Sequence, residues 1–598
     1  MVLFLIRQSS LSFRVSFFFT LLLLSSFHVF VSVSVSNSSI PRDESTGVKE
    51  ANALLKWKAS LDHQSQSVLS SWVGNDTCYW IGIICDKSGR VSPLNLSNSG
   101  LIGLIPQEIG MLRSLDWLDL SDNSLDGIIP SDIGNLSRLI YLNLSINYLS
   151  ENVPFKLGKL RSLSKLYLEE NILTGSIPLS IGNLKKLSYL SLFDNQLLGF
   201  IPSSFGNLTN LIELLLYDNK LHGSIPGELG ELRSLVDLRL FNNNFSGFIP
   251  AEMNNITRLK FLELSDNYLT GHLPQQVCLG RALAYFAADN NLFTDLSYSK
   301  FDGELSPKWG QCHNLTSRKL SNNNISGQIP SEFVKATKLQ VCDLSSNNLV
   351  GEIPKELGEL QLLFNLTLND NHLSGSIPPE IGMLSDLMSL NLAANNLNSS
   401  IPGQLSMCEK LIELNLSNNI LSGEIPSELG SLSFLEILDL SQNFLVGKIP
   451  EQVGNLKTLE KLNLSHNKLL GFIPSTFADM LSLTSVDISY NQLKGLLPDI
   501  KAFHEASFEA FRNNKALCGN ITGLEPCPSN VTHSLAHKRT KKMVVAIVLQ
   551  LQIKRPKSTP QRNKKDENRT WTVSSVKENL QGRPQTSEQS CFVLLDFW

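Results

Sequence analysis

Beyond residue 36 the chain lacks any apolar run that could cross a bilayer. The longest later candidate is Met543 to Ile553 in "KKMVVAIVLQLQIKRPK", interrupted by Gln550 and Gln552. At about 1.5 Å per residue it reaches ~16 Å, about half of a ~30 Å hydrocarbon core, so no complete membrane span is expected after the start of the chain. Catalytic vocabulary is missing too. The ten histidines are scattered with no His-Glu-x-x-His spacing, and no Gly-rich phosphate loop occurs. "VVAIV" at 544–548 ends without the Lys of a kinase strand, and the terminal "LLDFW" lacks the Gly of an Asp-Phe-Gly motif. Neither catalytic residues nor a metal or cofactor site is therefore expected. Excess positive charge is also absent: the net charge is −4, which argues against a nucleic-acid partner.

That balance hides an asymmetry. From Lys538 onward 13 Lys and Arg stand against 5 Asp and Glu, so this short basic segment carries +8 and everything before it −12. Residues 531–598 read as a basic, disordered tail containing a cut-off apolar segment. Residues 1–36 read as a secretory signal. Arg7 and Arg14 precede Phe17–Phe19 and Leu21–Leu24, and the small Ser34 and Ser36 place cleavage near Asn37. The body is then expected in the secretory pathway, extracellular or at the cell surface, where disulfides and N-glycans form.

What the chain has in abundance is repetition. Proline recurs with a period of 24 from Pro106 to Pro274 and again from Pro330 to Pro498, within the unit L-x-x-L-x-L-x-x-N-x-L-x-G-x-I-P. This is a leucine-rich repeat. The predicted fold is an α/β solenoid: a right-handed superhelix of about 18 turns, a parallel sheet on its concave face, and disulfide caps at both ends. In each turn the L-x-L pair points into the core. The Asn (Asn123, Asn147, Asn195, Asn467 and equivalents) satisfies buried backbone groups with both donor and acceptor. Gly relieves the turn and Pro fixes the convex return.

The expected division is an N-terminal cap over 37–90 with Cys78 and Cys85, repeats over 91–291 and 304–500, and a C-terminal cap over 501–530 with Cys518 and Cys527. Each pair suits a disulfide, since a zinc site would need two further ligands nearby. Cys342 stands at a core Leu position and reads as a buried free thiol, while pairing of Cys278 with Cys312 stays open. The period fails once, over 292–303. The step from Gly271 to Gly303 exceeds the period by eight positions, and Asn291 is followed by an equivalent position at Ser299 after only eight. One strand is therefore expected to have lost its return segment, with easier proteolysis there. Nearby, Arg318 occupies a core Leu position. A buried unpaired cation is costly, so either the side chain escapes to solvent or the turn distorts.

On the concave face the later turns show small polar residues such as Asp343, Asn391, Asn415 and Asp439. The earlier turns differ: Tyr141, Tyr167, Tyr189, Phe193, Tyr217, Phe241, Phe261 and Tyr285 accompany Glu213, Asp237, Arg239 and Glu263. Exposed aromatics with occasional charges suit a binding groove, and these twelve residues are the candidate ligand site. The competing explanation is that rings merely tolerate a sheet surface. Of the seventeen N-x-S/T sequons, Asn37, Asn75, Asn520 and Asn530 lie outside the repeats and are the better glycan candidates.

The repeat unit, the "CYWIGIIC" cap and the "NNKALCG…PC" cap resemble the ectodomains of plant leucine-rich-repeat receptor-like kinases. "SPKWGQCHNLTSRKLSNNNISGQIP" and "LPDIKAFHEASFEAFRNNKALCGN" are most similar to the group of the male-discoverer-interacting receptor-like kinase. The resemblance covers about residues 45–535. It implies a cell-surface receptor, at the plasma membrane in full-length relatives, that recognises a secreted peptide or other extracellular ligand on its concave face and recruits a co-receptor kinase ectodomain. Such relatives continue into a transmembrane helix and a serine/threonine kinase. This chain departs there, so the resemblance implies a ligand-binding ectodomain truncated before the kinase. The alternative is a secreted leucine-rich-repeat inhibitor of a microbial cell-wall hydrolase.

Overall fold

The computed structural model describes residues 44–274, 278, 280–294, 305 and 307–527. The expected signal and tail, and with them Asn37 and Asn530, lie outside the described residues. Among those described, no helix is long and apolar enough to cross a membrane.

Each repeat unit builds one coil of a solenoid. Its L-x-L pair forms a short strand, as in Tyr141–Asn143, whose Leu142 and the following Leu144 are wholly buried. The strand pairs in register with the same positions one turn away, Tyr141 with Lys165 and Asn143 with Tyr167. Repetition gives an eighteen-stranded main sheet. Its first strand, Ile83–Cys85, is antiparallel to Val91–Asn95, and the rest are parallel through Ser485–Asp487. After each strand a proline in extended conformation, such as Pro130, leads into a short 3-10 helix, here Ser131–Asn135. These helices stack so closely that a Cβ on Gly134 would run into the Lys156 carbonyl.

The Asn of each unit ties neighbouring coils together. Asn147 accepts from the Leu125 N–H of the preceding coil at 2.9 Å, and its amide donates to the carbonyls of Leu120 (3.0 Å) and Ser145 (3.0 Å). The ladder continues past the last repeat. Asn514, in the C-terminal cap, accepts from Leu493 N–H and donates to the Ile488 carbonyl.

Both ends are closed by apolar packing and a disulfide. At the start, the helix Glu44–Ser60 lays Trp57 on the first coil, where its indole N–H donates to the Leu104 carbonyl at 2.9 Å. Trp72 stacks on Trp80, and Cys78 bonds Cys85. At the other end Ala516–Cys518 pairs with Gln492–Leu496, and Cys518 bonds Cys527. Cys342 and Cys408 are buried free thiols.

The irregular region departs from expectation in two ways. Among the described residues no main-sheet strand lacks its return: the 3-10 helix Pro307–Gln311 lies between Tyr285–Ala287 and Ser317–Lys319. Tyr285–Ala287 pairs in register with Ser317–Lys319, and the ladder steps from Asn291 directly to Asn323, whose side chain accepts from Phe293 N–H and donates to the Ala288 carbonyl. One coil is therefore longer than the others. The bonded pair Asn290 and Asn322 is separated by 32 in sequence, against 24 for the equivalent pair Asp218 and Asn242. Leu292–Phe293 still pairs with the coil before it, and Thr294 bridges to Asn324 of the next. Of residues 292–303, where easier proteolysis was expected, 295–303 lie outside the described residues. Cys278 and Cys312 form a disulfide across this coil.

Arg318 takes neither expected route. It stays in the core at 0% exposure, in a strand of ordinary register. Its guanidinium lies 3.9 Å from the Phe333 ring centroid and 5.3 Å from that of Trp309, and donates one 3.4 Å hydrogen bond to the Trp309 carbonyl. The smaller Cys342 stands where the adjoining coil elsewhere has Leu. Nε and Nη1 have no partner, and burial lowers the pKa to about 10. Two aromatic faces recover part of the desolvation cost of the cation, not all of it. Replacing Arg318 with Met should therefore raise unfolding stability by about 2 kcal/mol. A lower denaturant midpoint for the variant would show that the ring contacts outweigh the desolvation.

Candidate ligand-binding face

In the regular coils the last strand residue is Asn or Asp, and its side-chain oxygen caps the backbone two residues on. Asn95, Asp119 and Asn143 accept from Ser97, Ser121 and Ser145 N–H. Asp343, Asn391, Asn415, Asp439, Asn463 and Asp487 do the same in the later coils. Between these two stretches the position holds Tyr167, Ser191, Leu215, Arg239, Glu263, Ala287 and Lys319 in seven consecutive coils. Of these side chains only Ser191 could cap in a similar way, and at Glu169 and Asp289 the residue's own carboxylate meets the N–H instead. Where nothing replaces the cap, the lost backbone hydrogen bond costs on the order of 1 kcal/mol. In the later half only Thr367 departs from Asx.

The twelve candidate residues all lie on this face, in three rows. Register aligns Tyr141, Tyr189, Glu213, Asp237, Phe261 and Tyr285 as first strand residues. Tyr167, Arg239 and Glu263 are third residues, while Phe193, Tyr217 and Phe241 follow two positions later. The rings are less free than the sequence suggests. Phe193, Tyr217 and Phe241 stack in sequence with centroids 4.3 Å apart at each step, which leaves Tyr217 only 8% exposed. Their faces are engaged with one another, and what the middle ring presents is its edge. Tyr141 is likewise covered by Trp117 at 3.6 Å. The most open rings are Trp117 (40%) and Phe261 (36%).

The charges are also partly satisfied internally. Arg239 forms a two-pronged contact with Asp237 at 3.0 and 3.1 Å, lies 3.9 Å from Glu263 and sits over the Phe261 ring. Lys165 lies 4.8 Å from the Tyr189 ring centroid. Glu213 is half-buried, and burial raises its pKa.

Sequence reasoning missed Glu169. It continues the Phe193–Tyr217–Phe241 row by one coil, where most other coils carry Ser. The side chain is buried, Oε2 has no hydrogen-bond partner, and burial pushes the carboxyl up to about 8. Glu263 is raised to about 7, and Asp119 and Asp289 are raised as well, in each case first by burial. The signal was a charged residue in a Ser position directly beside an aromatic run. The two cap sequons among the described residues, Asn75 and Asn520, are both exposed.

Comparison with known proteins fits this architecture. A family model of the leucine-rich-repeat N-terminal domain matches residues 49–86. Leucine-rich-repeat models match 114–136, 162–184, 186–208, 338–360, 410–432 and 433–493. A solved structure titled PEPR1-AtPEP1 superposes with a TM-score of 0.71 at 34% identity, covering 79% of this chain and 69% of that one. The plant peptide hormone receptor RGFR1 in complex with RGF2 gives 0.56 at 33%, covering 72% and 79%. The chain belongs to the leucine-rich-repeat proteins, and its relatives are plant leucine-rich-repeat receptor-like kinases. Among these, MDIS1-interacting receptor like kinase 2 of Arabidopsis thaliana is 47% identical over 64 residues, 10% of this chain and 6% of that protein. The matched segments span only 6–10% of the first curated relatives' lengths.

The raised carboxyls set a pH dependence. A carboxyl whose folded pKa exceeds its unfolded value favours the folded state below the unfolded pKa, and this advantage is lost as pH rises through the folded pKa. For Glu169 that window runs from 4.5 to about 8. Stability should fall between pH 5 and pH 8, and Glu169→Gln should flatten that fall by up to a few kcal/mol at ~1.4 kcal/mol per unit. An unchanged slope in urea titrations of the variant would refute this assignment.

Proposed function

We propose that this chain is the extracellular ligand-recognition region of a plant receptor-like kinase of the group containing MDIS1-interacting receptor like kinase 2, and that it binds a secreted peptide on the main sheet between the coils of Tyr141 and Tyr285. One observation carries the reading: seven consecutive coils, from Tyr167 to Lys319, lack the Asx cap, and the first six of them hold eleven of the twelve candidate rings and charges, Tyr141 lying one coil before. Stacking and pairing among these residues return part of that loss to the scaffold, and a recognition surface accounts for why rings and charges, rather than other apolar residues, stand there. The likeness to a peptide hormone receptor over 79% of its length supports the ligand class. The relatives are kinases, and what this chain shares with them here is the repeat region, which has no catalytic role. A co-receptor ectodomain would then dock on the ligand-bound form.

The test is capture of secreted plant peptides on the immobilised protein, then affinity measurement on variants. Tyr217 is a poor target because it braces two neighbours. Phe241→Ala with Phe261→Ala should weaken the captured peptide at least thirtyfold, about 2 kcal/mol. Lys461→Ala with Ser485→Ala, exposed on the later coils, should leave affinity unchanged. A loss confined to the later pair would refute the site.

A further inference from the structure

The main sheet has a second feature that lies outside the ring-bearing face. Along the edge at which its strands begin runs a groove of about 700 Å³, within the size range of ligand sites. Its floor carries Ile140, Ile212 and Val236, and its rim Arg138, Lys186 and Arg258. The floor is fixed by the fold, because residues at this position donate their N–H to the carbonyl one coil back, Ser164 to Ile140 and Val236 to Ile212 at 2.8 Å. No aromatic side chain lines it.

The rim is part of a broader row. One position earlier in the repeat stand Arg113, Arg161, Lys185, Arg233 and Arg281, all exposed. Of the eight cations only Arg138 reaches a carboxylate, Asp86 at 4.0 Å; the others form no ion pair among the described residues. The later half treats these positions differently. Lys410 is paired with Asp386 and Lys457 lies 3.9 Å from Asp479; Lys338 alone has only a neutral partner, Asn314, and stands as an isolated charge. Unpaired like charges at about 4.8 Å per coil repel one another. A row left uncompensated in one half of an acidic body is a surface built for an anionic partner.

We infer that this edge groove binds an extended acidic polypeptide segment, independently of the ring-bearing face. The groove crosses six coils, ~24 Å, which an extended chain of about seven residues fills. In such a chain alternate side chains face alternate sides, so carboxylates at every second position meet the rim while the residues between them meet the isoleucine and valine floor. Single-stranded nucleic acid fits less well, because it is gripped by stacking on aromatic platforms that the groove lacks, and an acidic oligosaccharide has no apolar side chains to set on the Ile140, Ile212 and Val236 floor. The chain's own segment from Lys538 onward, at +8, has the wrong sign.

The probe is an N-acetylated, C-amidated octapeptide alternating Glu and Val, titrated into the secreted full chain. Expected are saturable binding that weakens at least tenfold between about 50 and 500 mM NaCl, no binding of the Gln–Val analogue, and at least a tenfold loss in an Arg138→Gln, Lys186→Gln, Arg258→Gln variant. All three residues are exposed, so folding is preserved, and thermal midpoints check this. Lys338→Gln with Lys457→Gln should bind like the parent protein. Phe241→Ala with Phe261→Ala should also bind like the parent, which separates this groove from the ring-bearing face. The inference is overturned by absent binding, by a triple variant that binds normally, or by equal loss in the Lys338/Lys457 variant. It is also overturned if a polyuronate octamer or an octadeoxynucleotide binds more tightly than the peptide.

Discussion

Everything in this molecule hangs on a side-chain amide. A single coil cannot satisfy its own buried backbone polar groups: inside the turn, carbonyls such as Leu120 and Leu144 and N–H groups such as Leu125 face the core with no strand partner. One Asn per coil meets this need with an acceptor toward the coil before it and donors toward both coils. Asp could not donate and Ser could not reach all of these groups. An unmade hydrogen bond in the core costs about 1–3 kcal/mol, so the ladder from Asn123 to Asn514 sets which residue positions can vary. Leu, Gly and Pro then follow as packing consequences of the coil that Asn closes.

Because each coil contacts only its neighbours, stability is close to a sum of local terms. This permits a division of labour along one chain. The first coils and the later ones keep the Asx cap at the end of each strand. The seven coils from Tyr167 to Lys319 do not, and they also hold the raised carboxyls of Glu169, Glu213, Glu263 and Asp289. Burial on this packed face raises those acids. The one long coil and the buried Arg318 fall at the far end of this block, next to regular coils with intact caps.

The fold was legible because its determinants repeat. Leu142, Leu166 and Leu190 share one environment, so sixteen recurrences of one proline outweigh any local ambiguity. The irregular coil was misread for the same reason: spacing alone made Ser299 an Asn-equivalent, whereas hydrogen bonding connects Asn291 to Asn323. Arg318 was read as an escaped or distorting cation because its stabilising neighbours, Trp309 and Phe333, are core residues of the return segments and not of its own strand. Rows on the main sheet could be read from the period, but the packing within them could not. That Tyr217 is clamped between Phe193 and Phe241, or that Glu169 is buried beside them, depends on rotamers set by cross-coil contact.

The two faces proposed for binding divide the same coils by chemistry. Residues at the first and third strand positions, and two beyond, point onto the sheet and are half-buried by one another, so rings, internally paired Arg239 and raised acids accumulate there. Residues just before the strand stand clear of that packing and are solvated, so Lys and Arg keep their charge without partners. A polypeptide reaching both would meet a desolvated surface that discriminates by shape and a solvated row that attracts by charge. The first would govern how slowly such a ligand leaves, and the second how fast it arrives. This separation is a consequence of where the repeat turns from edge to strand, and it would hold for any sequence that placed aromatics on the strand and cations before it.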